Sequence, residues 1–259
     1  MDVSAKLNLL ESALLATKDK LSPENFATVC SVVAFDDASE FNREDFTLRL
    51  PHFLHANLSN VEAWLVEDAF AFDMQDFVNV AAAYLSMFDQ GEIPEKLHSL
   101  LEKTVERNAL NLDAQQAIHL AQVFAETGSS YTMEIFDRII GANIEDIPVF
   151  QVFDAFMAFS TVGRAQVRPK IQNILLRTLA DNLDQLLPSQ LIGLCRVILA
   201  GKDAQSQAQG SDLIKGLEID KFLTTQLGAL DEHDLVFAME TFADSSLLEV
   251  QQAIDIQLV

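Results

Sequence analysis

One spacing of apolar residues recurs six times along the chain and constrains its fold more than any other feature. In each copy a leading apolar residue is followed at +5, +8 and +12 by further apolar residues. The last three positions lie three, four and seven residues apart, which places them on one face of an α-helix. The six copies are Leu21/Phe26/Val29/Val33, Phe72/Phe77/Val80/Tyr84, Leu112/Ala117/Leu120/Phe124, Ile144/Val149/Val152/Phe156, Leu186/Leu191/Leu194/Ile198 and Leu230/Leu235/Ala238/Phe242.

The distance between copies predicts a pair of helices in each repeat. Successive copies begin 51, 40, 32, 42 and 44 residues apart, which is too long for one helix and a loop but typical of a repeated helical hairpin. Second one-faced stripes fill the gaps, as in Leu97/Leu100/Leu101/Val105 and Ile171/Ile174/Leu175/Leu179. The sequence therefore predicts an all-α chain, a single α-solenoid of about six antiparallel helical hairpins spanning residues 1–259.

Polar residues mark the start of the first helix in four copies. Ser22, Asp73, Asp113 and Asp231 each stand one residue after the leading apolar position. Such side chains accept hydrogen bonds from the free amides of a helix's first turn. Asp113 with Gln116 also has the spacing of a capping box. These four positions are therefore predicted N-caps.

Three segments lie outside the repeated pattern. Residues 1–20 are predicted to form an N-terminal capping helix that covers the first repeat. Residues 36–71 are predicted to be an irregular insertion, with an extra helix over 61–70 that follows an irregular stretch at Pro51. Residues 201–211 are rich in Gln, Ser, Ala and Gly and are predicted to be a flexible loop.

The charge of the chain disfavours one class of partner. Thirty-nine acidic residues stand against seventeen basic ones, for a formal charge of −22. Binding to phosphate backbones depends on Lys and Arg displacing counterions, so this surface is expected to repel nucleic acid. Apolar residues make up 49% of the chain, yet the sequence contains no run with the length and purity of a membrane span. The expected partners are therefore other proteins, the protein subunits of a larger complex.

Aromatic residues that fall outside the repeated stripe form a candidate partner-facing patch. An acidic stretch beside them could form its rim and pair with basic residues of a partner. The alternative is that these aromatic residues pack internally beneath the insertion. The candidate patch consists of Phe41, Phe46, Phe53 and Trp64, and the candidate rim of Asp36, Asp37, Glu40, Glu44 and Asp45.

No residue cluster in the sequence requires an active site. The acidic rim lacks the alternating ligand spacing and turn glycine of a calcium loop. His52 and His55 have no third ligand at a spacing typical of a metal site. The sequence contains no glycine-rich phosphate loop and no nucleophile elbow. We therefore expect no enzyme activity, no catalytic residues, no cofactor, no metal site and no small-molecule ligand.

The openings of three copies carry a family resemblance. Residues 21–26 read Leu-Ser-Pro-Glu-Asn-Phe, 112–117 read Leu-Asp-Ala-Gln-Gln-Ala and 230–235 read Leu-Asp-Glu-His-Asp-Leu. Each resembles the degenerate helical-hairpin repeats of octotricopeptide-like proteins and of proteins with a RAP domain, and more loosely armadillo and HEAT repeats. Organellar members of these families bind RNA through basic surfaces, and the acidic charge of this chain departs from that pattern.

The resemblance and the charge together lead to one expected function. The chain is expected to be a non-catalytic helical-repeat scaffold, an accessory structural subunit of a large intracellular assembly, with a mitochondrial complex as the setting that the resemblance implies. The alternative is an organellar RNA-binding repeat protein in RNA processing or translation. A third hypothesis, an enzyme whose site no motif reveals, remains because fold does not determine function.

Overall fold

The computed structural model of the chain describes residues 21–35, 50–66, 72–87, 94–125, 127–160, 169–200, 204–243 and 245–257. These residues form helices, turns and short connections and contain no β-strand, which confirms the all-α prediction. Thirteen α-helices are present in the described ranges: α1 Pro23–Phe35, α2 Leu50–Val66, α3 Met74–Met87, α4 Glu95–Asn108, α5 Ala114–Val123, α6 Ser130–Ala142, α7 Val149–Ser160, α8 Pro169–Ala180, α9 Pro188–Leu199, α10 Ala204–Gly216, α11 Ile219–Gln226, α12 Glu232–Phe242 and α13 Leu248–Gln257.

The four predicted N-caps are confirmed. The Ser22 hydroxyl oxygen accepts the Asn25 amide at 3.2 Å, and carboxylate oxygens of Asp73, Asp113 and Asp231 accept the amide three residues later at 2.7–2.8 Å. At Asp113 the capping box is complete, because the side chain of the residue three positions on accepts the Asp113 amide in return. Side chains close in sequence therefore fix where α1, α3, α5 and α12 begin.

The repeated stripe forms much of the hydrophobic core. The +8 residues of the second to sixth copies are completely buried, and the +5 residues of the first, second, third and fifth copies are as well. Burial of these side chains is the main source of stability for helices this short. The buried stripe residues are Phe26, Phe72, Phe77, Val80, Tyr84, Leu112, Ala117, Leu120, Phe124, Val152, Phe156, Leu186, Leu191, Leu194, Leu235, Ala238 and Phe242.

The chain divides into two compact units, Met1–Ile140 and Gly141–Val259. We call the helix that carries the stripe in each copy a first helix. In the first unit, the first helices α1, α3 and α5 pack side by side in chain order, and α2 packs against α4. In the second unit, α9 packs between the first helices α7 and α12, α8 covers α7, and α13 contacts both α11 and α12.

Within each unit, this packing of helices against their neighbours is compatible with a helical repeat. One continuous solenoid over residues 1–259 also requires a particular arrangement of the two units, and it stays a prediction. The predicted capping helix at 1–20 and the first part of the predicted insertion, 36–49, lie outside the described residues.

The predicted irregular stretch at Pro51 is wrong, because Pro51 lies inside helix α2. It is the second residue of the helix, where its missing amide hydrogen removes no hydrogen bond and its fixed backbone angle suits a helix. The extra helix of the insertion thus begins eleven residues earlier than the predicted 61, at Leu50, and it ends at Val66.

The predicted flexible loop at 201–211 is also corrected, since helix α10 occupies the segment from Ala204 onward. Gly210 and Ser211 are buried where α10 packs against α9. A Cβ atom at Gly210 would lie 2.5 Å from the carbonyl oxygen of Ile198. The small residues that suggested a loop therefore permit close approach of two helices.

Candidate partner-binding surface

Most of the predicted partner-binding site lies outside the described residues. This holds for two of the four patch residues and for the whole acidic rim. Their role as a partner surface stays a prediction. The residues concerned are Phe41 and Phe46 of the patch and Asp36, Asp37, Glu40, Glu44 and Asp45 of the rim.

Phe53 belongs to the core, so the prediction that it faces a partner is wrong. Its side chain is 1% exposed. Its ring stacks on that of Phe26, with centroids 5.4 Å apart and an interplanar angle of 26°. The alternative of internal packing holds for this residue, because α2 carries Phe53 onto the stripe of the first copy.

Trp64 lies at the edge of the same aromatic cluster and is partly exposed. Its ring is 5.7 Å from the Phe26 ring and meets the Phe72 ring edge-on at 5.8 Å, with an interplanar angle of 83°. Such edge-to-face contacts add to the stability gained from burial. Trp64 therefore contributes to internal packing and offers a partner only part of its ring.

The hydroxyl of Tyr84 links two helices that form the aromatic cluster. It donates to the backbone carbonyl of Leu54 at 2.8 Å, joining α3 to α2. Burial raises the pKa of Tyr84, and the neighbouring Cys30 and Glu62 raise it further. Burial also raises the pKa of the Cys30 thiol. Both groups are therefore neutral at physiological pH and serve packing in this unit.

A polar cluster between α4 and α6 was not anticipated from the sequence. One carboxylate oxygen of Glu102 accepts the Ser129 amide at 2.6 Å and the Thr132 hydroxyl at 3.0 Å. The other lies 3.8 Å from Nδ1 of His98. The carboxylate occupies the start of α6, where free amides favour negative charge. The cluster therefore caps α6 from a neighbouring helix.

Three potential metal ligands meet at the start of α12. Ligand atoms of Asp231, His233 and Asp234 lie within 4.8 Å of one another. Asp231 is the N-cap and accepts the Asp234 amide, and both Asp231 and His233 are exposed. Helix capping accounts for the cluster, so we assign no metal to it.

A cleft of about 250 Å³ opens between α9, α10 and α12. Arg196 and Glu240 line it with Gln207, Thr241 and Ser245. The Arg196 guanidinium lies 4.8 Å from the centre of the Phe237 ring, a cation–π contact. The hydroxyls of Thr241 and Ser245 already donate to backbone carbonyls of α12. The cleft presents one cation and one carboxylate without a convergent set of donors for a ligand.

Exposed apolar side chains in the described residues are the surface feature that periodicity could not anticipate. Several stand at helix starts or in connections, and two share one face of α12. Single exposed apolar residues are common on proteins, whereas neighbouring ones mark contact surfaces. The large exposed apolar residues are Val66, Leu110, Tyr131, Phe150, Leu187, Leu213, Val236, Met239, Leu248 and Ile256.

Among the described helices, none combines the length and the apolar character needed to cross a bilayer. Comparison of the sequence with protein-family models and with curated proteins finds no match.

Proposed function

We propose that the chain is a non-catalytic helical-repeat scaffold that serves as an accessory structural subunit of a large protein assembly. The supporting observation is that its apolar residues fall into a buried group and an exposed group. Most of the repeated stripe is buried where helices pack against one another, while other large apolar side chains remain exposed in both units. Surfaces of this kind are buried when a subunit joins a stable assembly.

The charge supports protein partners with basic surfaces. An excess of twenty-two negative charges covers a chain of 259 residues. Complementary charge steers association and sets the orientation of partners more than it adds affinity. Basic protein surfaces therefore suit this chain better than nucleic acid does, and we place the organellar RNA-binding alternative second. The mitochondrial setting follows only from the resemblance of the repeat openings to organellar repeat families.

Native-size analysis of the chain in its source cell tests this proposal. A tagged chain is expressed at its natural level, extracted in mild detergent and separated by native electrophoresis. The purified recombinant chain on the same gel marks the position of the monomer. We expect the tagged chain in a large assembly that persists at high salt and co-fractionates with mitochondria. A chain that runs predominantly with the recombinant monomer would refute the subunit function.

Fluorescence anisotropy with a mixed-sequence RNA separates the two functions. The scaffold proposal expects no binding at near-physiological salt, because a basic track is lacking. Micromolar or tighter binding that weakens steeply with added salt would favour the RNA-binding alternative instead.

A further inference from the structure

The six first helices share a second apolar stripe, at +6, +9 and +13 from the leading residue of each copy, which we call the lateral stripe. In four first helices it is at least nine-tenths buried at every described position. The exposed fractions there range from 0% to 8%. The residues are Ala27 and Cys30 in α1, Val78, Ala81 and Leu85 in α3, Ile118, Ala121 and Ala125 in and after α5, and Ile192, Cys195 and Leu199 in α9.

In the second unit, the lateral stripe of α7 faces α9, the first helix of the following copy. In α7 it includes Phe153, and a Cβ atom at Gly193 of α9 would lie 3.5 Å from the tip of the Phe153 ring. Phe150, in the first turn of α7, is 54% exposed, and Phe153 and Met157 are half-buried. In α7 the lateral stripe is therefore a surface on which the first helix of the next copy packs.

Helix α12 is the first helix of the sixth copy, and its lateral stripe is open. Val236 is 42% exposed and Met239 is 45% exposed, and Ala243 at the +13 position is exposed as well. The residues that α12 buries are on its other faces, at Leu235, Ala238 and Phe242. An apolar stripe that is buried in α1, α3, α5 and α9 is thus exposed in α12.

Acidic residues border this open stripe. Glu232 lies one turn before Val236 on the same helix face, and Glu240 follows Met239 directly. Both carboxylates are exposed, and residues 231–243 contain no Lys or Arg. Arg196 of α9 lines the same cleft as Glu240, whereas Glu232 is not among the residues that line that cleft. A helix that packs on this face would therefore meet apolar side chains along its centre and the carboxylates of Glu232 and Glu240 along its edge.

We propose that the lateral stripe of α12 binds an amphipathic helix of another protein, one whose apolar face is bordered by Lys or Arg. The helical form of the occupant follows from the equivalent stripes, and its basic border follows from Glu232 and Glu240. A second copy of this acidic chain fits poorly, because charges of one sign would meet.

This proposal rests on the proposed scaffold function and identifies one of its contact faces. The test uses fluorescent synthetic helical peptides of about 18 residues, or five turns. One carries a leucine stripe bordered by Lys, a second carries the same stripe bordered by Glu, and a third has the composition of the first without a stripe. Binding to the full chain is measured by anisotropy at about 0.15 M salt, where long-range charge effects are screened.

We expect the Lys-bordered peptide to bind the wild-type chain most tightly. The double variant Val236→Ser/Met239→Ser should weaken that binding by about tenfold or more, since it removes the apolar centre of the contact. The control Leu110→Ser/Tyr131→Ser removes exposed apolar surface from the first unit and should bind like wild type. Glu240→Lys leaves the stripe intact and should weaken binding of the Lys-bordered peptide while strengthening that of the Glu-bordered one.

Equal affinity of the Lys-bordered peptide for wild type, Val236→Ser/Met239→Ser and Glu240→Lys would overturn the proposal. Sedimentation that shows a wild-type dimer lost in the double variant would overturn it too, because a second copy would then be the occupant. Native-size analysis of the same variants separates this failure from that of the scaffold function. If the wild-type chain is found outside any assembly, the scaffold function is refuted. If the double variant enters the assembly as fully as the wild type does, only the α12 contact is refuted.

Discussion

Substitution of Gly210 by alanine tests the contact between α10 and α9. The added Cβ would stand 2.5 Å from the carbonyl oxygen of Ile198 and 3.2 Å from its carbonyl carbon. Both are backbone atoms, so no change of side-chain rotamer relieves the clash. The helices must separate, which loosens the packing of Ser211 and Ile214, both completely buried.

The magnitude follows from two opposing effects. Overpacking costs about 1–3 kcal/mol, and a clash with backbone belongs at the upper end of that range, about 3 kcal/mol. Alanine is favoured over glycine in a helix interior by about 1 kcal/mol. We therefore expect the free energy of unfolding to fall by about 2 kcal/mol and the midpoint of thermal unfolding to fall by about 4–8 °C.

Gly216 provides the matched control at the end of the same helix. A Cβ there would have no neighbouring atom within 4 Å. Gly216→Ala should leave stability unchanged or raise it by up to about 1 kcal/mol. Both variants are compared by urea unfolding followed with far-UV circular dichroism. If Gly210→Ala proved as stable as the wild type, the close packing of α10 on α9 would be refuted, and the result would favour the flexible loop predicted at 201–211.

Three further predictions concern the core, the caps and pH. Leu120→Ala, in the repeated stripe of α5, should cost roughly 2–5 kcal/mol. Leu110→Ala, at a fully exposed site, should change stability by less than about 0.5 kcal/mol in the same urea experiment, and equal costs would contradict the assignment of the core. Asp113→Ala should cost about 0.5–2 kcal/mol through loss of the capping box, measured by thermal unfolding, with Asp113→Asn as the variant that retains an acceptor; a smaller loss for alanine than for asparagine would contradict the cap. Burial raises the pKa of the Cys195 thiol to about 12. The stability linked to Cys195 is therefore fully present below the unfolded pKa of about 8.5 and is lost as pH rises toward the folded value. The free energy of unfolding in urea should thus fall less steeply at alkaline pH in Cys195→Ala than in the wild type. Parallel curves for the two proteins would exclude this linkage.

The parts of the fold that sequence could predict depend on interactions between near neighbours. An N-cap joins a side chain to an amide three residues away, so Ser22 and Asp231 could be identified without knowledge of the rest of the chain. The repeated stripe is likewise a property of one helix. Both indicate where a helix lies and which face is buried, but neither identifies the helix that covers that face.

The errors arose where distant contacts decide the outcome. Phe53 falls outside the repeated stripe, and only its stacking on Phe26 shows that it is internal. Gly210 and Ser211 have the composition of a loop, yet their small size serves a helix contact. Position +6 is apolar in all six copies, so the pattern could not distinguish the exposed Val236 of α12 and Phe150 of α7 from the four buried residues at that position. Tertiary neighbours, and not the local sequence, set exposure at these sites.

The cap that Glu102 supplies to α6 has a consequence for hydrogen exchange. Most first-turn amides of a helix are released when that helix frays alone. The Ser129 amide is held instead by a carboxylate on α4, at 2.6 Å. Its exchange with solvent deuterium therefore requires either that α4 and α6 separate or that the hydrogen bond to the Glu102 carboxylate breaks. The exchange rate of this single backbone position should thus follow the opening of a contact between two helices, and in Glu102→Gln it should rise while amides in the middle of α6 keep their protection.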